Sequence, residues 1–142
     1  MSKQTNTKVG DIVVAANEDL TGKEGRLALI VSDSGTPKAA LPDDVADRAL
    51  YVIIEGAAAD YNVTLRPLNP DRNVRVKLDS TCVPGDRLTL AAIDGTKDGA
   101  CVKLPAAADD YFVWGIAEES GVDGQEVLAR PYLAAGVVTV TE

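Results

Sequence analysis

The side chains that most often perform chemistry in proteins are scarce in this chain. It has no histidine and only two cysteines, Cys82 and Cys101. Without histidine the usual general base at neutral pH is missing, and serine–histidine and cysteine–histidine nucleophile systems are excluded. Two cysteines alone are also too few ligands for a zinc site. We therefore expect no enzyme, no cofactor and no metal. The cysteines are interpreted as reduced thiols, with a Cys82–Cys101 disulfide left open.

Carboxylates are the other groups that could carry acid–base catalysis, and three pairs of adjacent acidic residues are candidates. Neighbouring residues of a strand point to opposite faces, so such pairs are not preset to converge on one substrate. We interpret them as solvated surface residues; they are Asp43/Asp44, Asp109/Asp110 and Glu118/Glu119. The dipeptide Gly22-Lys23 lacks the spacing of a phosphate-binding loop.

The overall charge narrows the choice of partners. The formal net charge of the 142 residues is −8, which repels nucleic acid and anionic membrane surfaces. No apolar run approaches the roughly 20 residues that span a bilayer, and no secretion signal is recognisable at the N-terminus. We expect synthesis in a cytoplasm, without nucleic acid or membrane as a partner.

Short β-type segments separated by turns dominate the chain, which predicts a mainly β protein. The predicted strands are Asp11–Ala15, Arg26–Ser32, Leu50–Glu55, Asn62–Leu68, Val74–Leu78, Arg87–Ala92, Ala100–Leu104, Tyr111–Ala117 and Glu126–Tyr132. One short helix is predicted over Pro42–Leu50, because a proline and acidic residues open it. The predicted fold is a small β-barrel or β-tulip-like structure with that single helix.

A weak internal sequence repeat, which we call the internal echo, predicts that the fold contains two related β units. The same short motifs recur in the same order with an offset of 61 to 64 residues; they are Arg26–Leu29 with Arg87–Leu90, Leu41-Pro42 with Leu104-Pro105, Val52–Glu55 with Gly115–Glu118, and Arg66-Pro67 with Arg130-Pro131. We infer units at residues 10–70 and 74–134, with a flexible arm at 1–9 and a C-terminal tail at 135–142. Chance alignment of similar short strands is the alternative.

Two parts of the chain are candidate contact points. Trp114 is the only tryptophan and Phe112 the only phenylalanine, and both stand in one predicted strand. They are either core residues or a self-association contact, since aromatic side chains are enriched in interfaces. The polar N-terminal arm is either a disordered end or a strand that adds to a partner.

The C-terminal half resembles a known family. A Pro-Gly-Asp turn leads into an apolar strand at residues 83–90, and an Asp-Gly hairpin follows at 98–102. A strand with a Gly-Ile-Ala sequence covers 114–119, and a Gly-x-x-Val strand covers 124–130. This order is similar to the capsid cement, or head decoration, proteins of tailed bacteriophages. The resemblance covers residues 83–133 directly and the first half only through the echo.

The resemblance implies a non-catalytic virion protein on the outer surface of an expanded capsid. Such proteins stabilise the shell by binding the major capsid protein, commonly as homotrimers at three-fold points. It also implies a capsid-contacting arm, formed here by Ser2, Lys3, Gln4, Thr5, Asn6, Thr7, Lys8 and Val9. The duplicated unit is longer than the simplest members, which leaves the oligomeric state open.

Three other functions remain as alternatives. The first is a β-sandwich module that binds a ligand such as a carbohydrate, although the chain has few aromatic residues to stack on sugars. The second is another viral structural part, such as a head-fibre base or a tail component. The third is an enzyme of unrecognised type.

Overall fold

The computed structural model describes residues 10–141, so the predicted capsid-contacting arm lies outside the described residues. Residues 10–141 form ten strands, which confirms the mainly β prediction. They are β1 (Ile12–Ala16), β2 (Leu27–Asp33), β3 (Thr36–Ala40), β4 (Tyr51–Glu55), β5 (Asn62–Pro67), β6 (Val74–Lys77), β7 (Arg87–Leu90), β8 (Cys101–Lys103), β9 (Asp109–Ala117) and β10 (Glu126–Val140).

The first five strands close into a small barrel in the order β1-β3-β2-β4-β5. β1 runs parallel to β3, and the other neighbours are antiparallel. Alternation along the strands turns small and branched apolar side chains inward. The barrel core contains Ala16, Leu20, Ala28, Ala39, Ile53, Val63 and Leu65.

The last five strands form a second sheet in the order β6-β10-β9-β7-β8. Its two edges meet at one parallel bridge, between Leu78 directly after β6 and Cys101 in β8. When that bridge is included, the strand order of the second sheet is the same as that of the barrel. In this order β6, β7, β8, β9 and β10 correspond to β1, β2, β3, β4 and β5.

The residue pairing also corresponds between the two units. Val14 lies opposite Val63 in the barrel, and Val76 lies opposite Val127 in the second sheet. Four further cross-strand pairs of the barrel have a counterpart in the second sheet. Ala16 opposite Ala39 corresponds to Leu78 opposite Cys101, and Ile30 opposite Ala39 corresponds to Leu90 opposite Cys101. Ala28 opposite Tyr51 corresponds to Leu88 opposite Gly115, and Tyr51 opposite Pro67 corresponds to Gly115 opposite Pro131. The two units therefore share topology and register. Their origin by duplication stays a prediction.

The units are fused through a shared core and through backbone hydrogen bonds. The larger apolar cluster lies mainly in the second unit but includes Leu27, Ala49 and Val52 from the first. The Leu27 N–H donates to the Gly99 carbonyl at 2.7 Å, and the Lys77 N–H donates to the Gly25 carbonyl at 2.9 Å. Burying these contacts stabilises the two units together, because neither has a large core of its own.

The predicted helix at Pro42–Leu50 is wrong: the structure describes no helix anywhere in residues 10–141. The acidic side chains bind the backbone locally instead. The Asp47 carboxylate accepts from the N–H groups of Asp43 at 2.9 Å and Asp44 at 3.2 Å, and the Asp44 carboxylate accepts from Ala46 at 2.8 Å. Such bonds compete with helical hydrogen bonding and favour a chain of turns.

The C-terminal tail predicted at 135–142 also needs correction, because β10 continues to Val140. Its second half, Gly136–Val140, pairs with Asp109–Val113 of β9. Between Pro131 and Gly136 the register shifts: five steps along β10 match two along β9, which leaves three extra residues in a bulge (5 − 2 = 3). A bulge lets the strand continue past a proline that would otherwise interrupt the pairing.

Candidate functional site

The adjacent acids Glu118 and Glu119 bind different partners. Glu118 binds Arg130 at 3.0 Å, whereas the adjacent Glu119, in the bend that follows β9, binds Arg75 at 3.2 Å. The Leu128 N–H, and after it Arg75, lowers the pKa of Glu119. Among residues 10–141, no group of three or more His, Cys, Asp or Glu side chains is arranged to hold a metal ion.

The two cysteines are free and buried in the shared core. Burial is the main cause that raises the pKa of both the Cys82 and the Cys101 thiol. At neutral pH both are therefore neutral thiols, which are poor nucleophiles. The structure supports the interpretation of two reduced core residues.

Trp114 and Phe112 are both fully buried in the shared core. Core packing is the role that the structure shows. Neither side chain has surface to offer to a second copy, so the self-association contact proposed for them requires correction. The aromatic residue that is exposed is Tyr61, at 70 % of its surface, which lies in a turn before β5 and which the sequence did not single out.

A cleft of about 410 Å³ lies where the two units meet. Its floor is apolar, and its rim carries charges of both signs; the lining includes Glu24, Ile53, Ile54, Arg66, Val74, Arg75, Glu126 and Leu128. These residues come from five segments that are far apart in sequence, so sequence patterns did not reveal the cleft. Its mixed lining suits polar protein segments better than a small apolar ligand.

A bidentate ion pair holds the chain at the point where the described residues begin. The Asp11 carboxylate accepts from Arg66 Nε at 2.8 Å and from the same guanidinium's terminal nitrogen at 3.0 Å. Arg72 adds a longer contact at 3.7 Å. The pair ties the start of β1 to β5, immediately after the predicted capsid-contacting residues Ser2–Val9.

This ion pair gives a testable pH dependence. The Arg66 hydrogen bond holds the pKa of Asp11 below its ordinary value. A carboxylate with a lowered pKa stabilises the folded state fully above the ordinary aspartate pKa of about 4, and loses that contribution as the pH falls through the lowered value. We expect Asp11→Asn to lower the free energy of unfolding by at most about 1 kcal/mol at pH 7, because the pair is partly solvated. Urea unfolding of the wild-type protein and of Asp11→Asn is measured from pH 7 to pH 2. The difference between their free energies of unfolding should decrease below pH 4. A constant difference would contradict the ion-pair role.

Similarity to known proteins is found at the level of structure only. No protein-family model and no curated protein matches the chain. The crystal structure of the head fibre gp8.5 N base of bacteriophage phi29 matches with a TM-score of 0.66 and 19% sequence identity. The match covers 88% of this chain and 95% of that one. Nearly the whole of this chain therefore has the fold of that phage protein, with little of its sequence in common.

Proposed function

We propose that this chain is a structural protein of a bacteriophage virion that binds the outside of the expanded capsid and stabilises the shell. The observation that carries the proposal is the fold likeness to the phi29 head-fibre base, which extends over nearly the full length of both chains. It agrees in kind with the decoration-protein resemblance of residues 83–133, which came from the sequence independently.

The described side chains fit a binding role. The thiols are buried, Glu118 and Glu119 are bound separately to Arg130 and Arg75, and the cleft between the units is lined by polar and apolar groups suited to protein contacts. The partner in this proposal is the major capsid protein, and neither nucleic acid nor membrane is involved. The protein is made in the host cytoplasm and resides on the outer capsid surface.

The proposed capsid contact combines the Ser2–Val9 segment with the surface at its base. The Asp11–Arg66 pair holds the chain against β5 two residues after Val9. A modest contact of this kind, repeated over a symmetric lattice, gives a large total stabilisation through multivalency. The homotrimer implied by the decoration family stays a prediction, which the binding stoichiometry would test.

A second candidate is the base of a head fibre, because that is how the matching phi29 structure is described. Both candidates bind a phage head, and they differ in whether the protein carries a further fibre. The carbohydrate-binding alternative gains no support: of the residues described, Tyr61 is the one strongly exposed aromatic, and a single ring makes a poor sugar platform.

Co-sedimentation with capsids of the phage from which the chain derives tests the proposal. The purified protein is mixed with expanded, undecorated capsids and, as the control, with unexpanded procapsids. We expect saturable binding to the expanded shell alone, and loss of most of that binding when residues 2–9 are deleted. Three copies per local three-fold site would support the trimer. Absence of binding to both shells would refute the capsid role.

A further inference from the structure

The second half of β10 has an edge with no strand partner in the described part of the chain. The first half of β10 lies between β6 and β9, with Glu126–Ala129 paired to β6. The second half, Gly136–Val140, pairs with β9 on one side, and no strand of residues 10–141 pairs with its other side. We call Gly136–Val140 the edge segment. An unpaired edge is a template for an added strand.

The hydrogen bonds of Phe112 show which backbone groups of the edge segment point outward. The Phe112 N–H donates to the Val45 carbonyl at 2.9 Å, and its carbonyl accepts from Thr89 Oγ1 at 2.7 Å, so both face away from β10. Phe112 and the opposite Val137 are therefore a non-hydrogen-bonded pair. By alternation, the N–H and C=O groups of Val137 and Thr139 point to the free edge, whereas those of Val138 bind β9.

This arrangement is complementary to itself. If two edge segments run antiparallel about a two-fold axis at Val138, Val137 of each copy lies opposite Thr139 of the other. All four outward groups of each copy then find partners, in two hydrogen-bonded pairs that flank the axis. We propose that the free protein forms a two-fold dimer through the edge segment, with Val138 opposite Val138 of the second copy.

The composition of the edge segment agrees with such pairing. Gly136–Val140 contains three valines, one threonine, no proline and no charge. It thus lacks the lysines and prolines with which natural proteins block edge-to-edge association. Valine and threonine side chains also make favourable cross-strand pairs. Asp110, which lies opposite Thr139, accepts a 2.6 Å hydrogen bond from Thr139 Oγ1.

The proposed dimer is a property of the protein free in solution. It goes beyond the proposed function and does not depend on capsid binding. A contact of one strand per copy is small, and we expect a dissociation constant in the micromolar range or weaker. The experiment is analytical ultracentrifugation of the full chain up to about 1 mM protein, at about 0.15 M salt to screen the net charge. Wild-type protein is expected to change from monomer to dimer with concentration.

A charge swap at Val138 tests the position of the axis. Val138→Lys and Val138→Glu each place a charge opposite its own copy, so each is expected to raise the dimer dissociation constant at least about tenfold. An equimolar mixture of the two is expected to recover the dimer through a Lys–Glu pair, which would also show that both variants are folded. Val13→Lys is the matched control, because Val13 is an exposed strand valine of the other unit, and it is expected to leave the dimer unchanged.

Three results would overturn the inference. The first is a wild-type chain that stays monomeric up to about 1 mM, as would happen if another part of the chain covered the edge. The second is a mixture of the two Val138 variants that stays monomeric. The third is a wild-type trimer, which would instead support the three-fold state implied by the decoration family.

Discussion

Replacing Gly99 with alanine is expected to lower the free energy of unfolding by about 3 kcal/mol or more, because the residue sits at the closest approach of the two units. Its φ is +84°, a region that side chains rarely adopt. An added Cβ would lie 2.5 Å from the Leu27 carbonyl oxygen and 3.2 Å from a Leu41 methyl carbon. The 2.7 Å bond from the Leu27 N–H to the Gly99 carbonyl would then have to lengthen.

Gly95→Ala is the matched control for that substitution. Gly95 belongs to the same loop and has a φ of +83°, but an added Cβ there would meet nothing within 4 Å. Gly95→Ala should lower the free energy of unfolding by about 1 kcal/mol, because an alanine in the left-handed conformation costs about that much. Urea unfolding followed by circular dichroism gives both values. Equal effects of the two substitutions would show that the junction between the units yields easily, contrary to the tight contact described.

Trp114→Ala is expected to remove about 3–5 kcal/mol of the free energy of unfolding, since it empties the largest fully buried side chain from the shared core. Small domains unfold at a cost of about 5–15 kcal/mol, so the variant would be partly unfolded at elevated temperature. Trp114→Phe should lower the free energy of unfolding much less. It keeps an aromatic ring and removes a buried indole Nε1–H, which makes at most a weak contact with the Cys101 sulfur.

Tyr61→Ala controls for the loss of an aromatic ring, because Tyr61 is 70 % exposed, and it should change stability by no more than about 0.5 kcal/mol. Circular dichroism is the suitable probe, since Trp114 is the only tryptophan and its fluorescence disappears in the variant. If Trp114→Ala left stability unchanged but altered the oligomeric state, the core assignment would be wrong and the self-association contact would be restored.

Two short segments were misread, the first because local side-chain bonds replaced a helix and the second because its pairing is long-range. The helix pattern of Pro42–Leu50 was outweighed by Asp44 and Asp47, whose carboxylates bind nearby backbone N–H groups. Strand β3 was not predicted, since Pro37 lies within it and prolines are rare in paired strands. The hairpin that delivers β3 turns at Ser34 and Gly35, both with positive φ, and its place between β1 and β2 is a long-range property.

The sequence alignment of the two units agrees with the observed strand pairing at one position and differs from it by one residue at another. Arg66 and Arg130, which are 64 residues apart (130 − 66), lie opposite corresponding residues of β4 and β9. The echo matched Leu27 with Leu88, but the pairing matches Ala28 with Leu88, because these lie opposite Tyr51 and Gly115. A slip of one residue exchanges the faces of a strand, so Leu27 packs in the shared core while Ala28 fills the barrel.

Alternation, together with glycine and aspartate chemistry within short windows, was sufficient to predict the β architecture and most of the turns. The buried faces, the position of the cleft and the open edge of β10 follow instead from the packing of the whole chain. Those features depend on residues from distant segments, such as Leu27 against Gly99 and Gly136–Val140 beyond a bulge, whose pairing no local pattern encodes. The burial of Trp114 belongs to this second group, since an aromatic residue in a strand suits a core and an interface equally well until the packing around it is known.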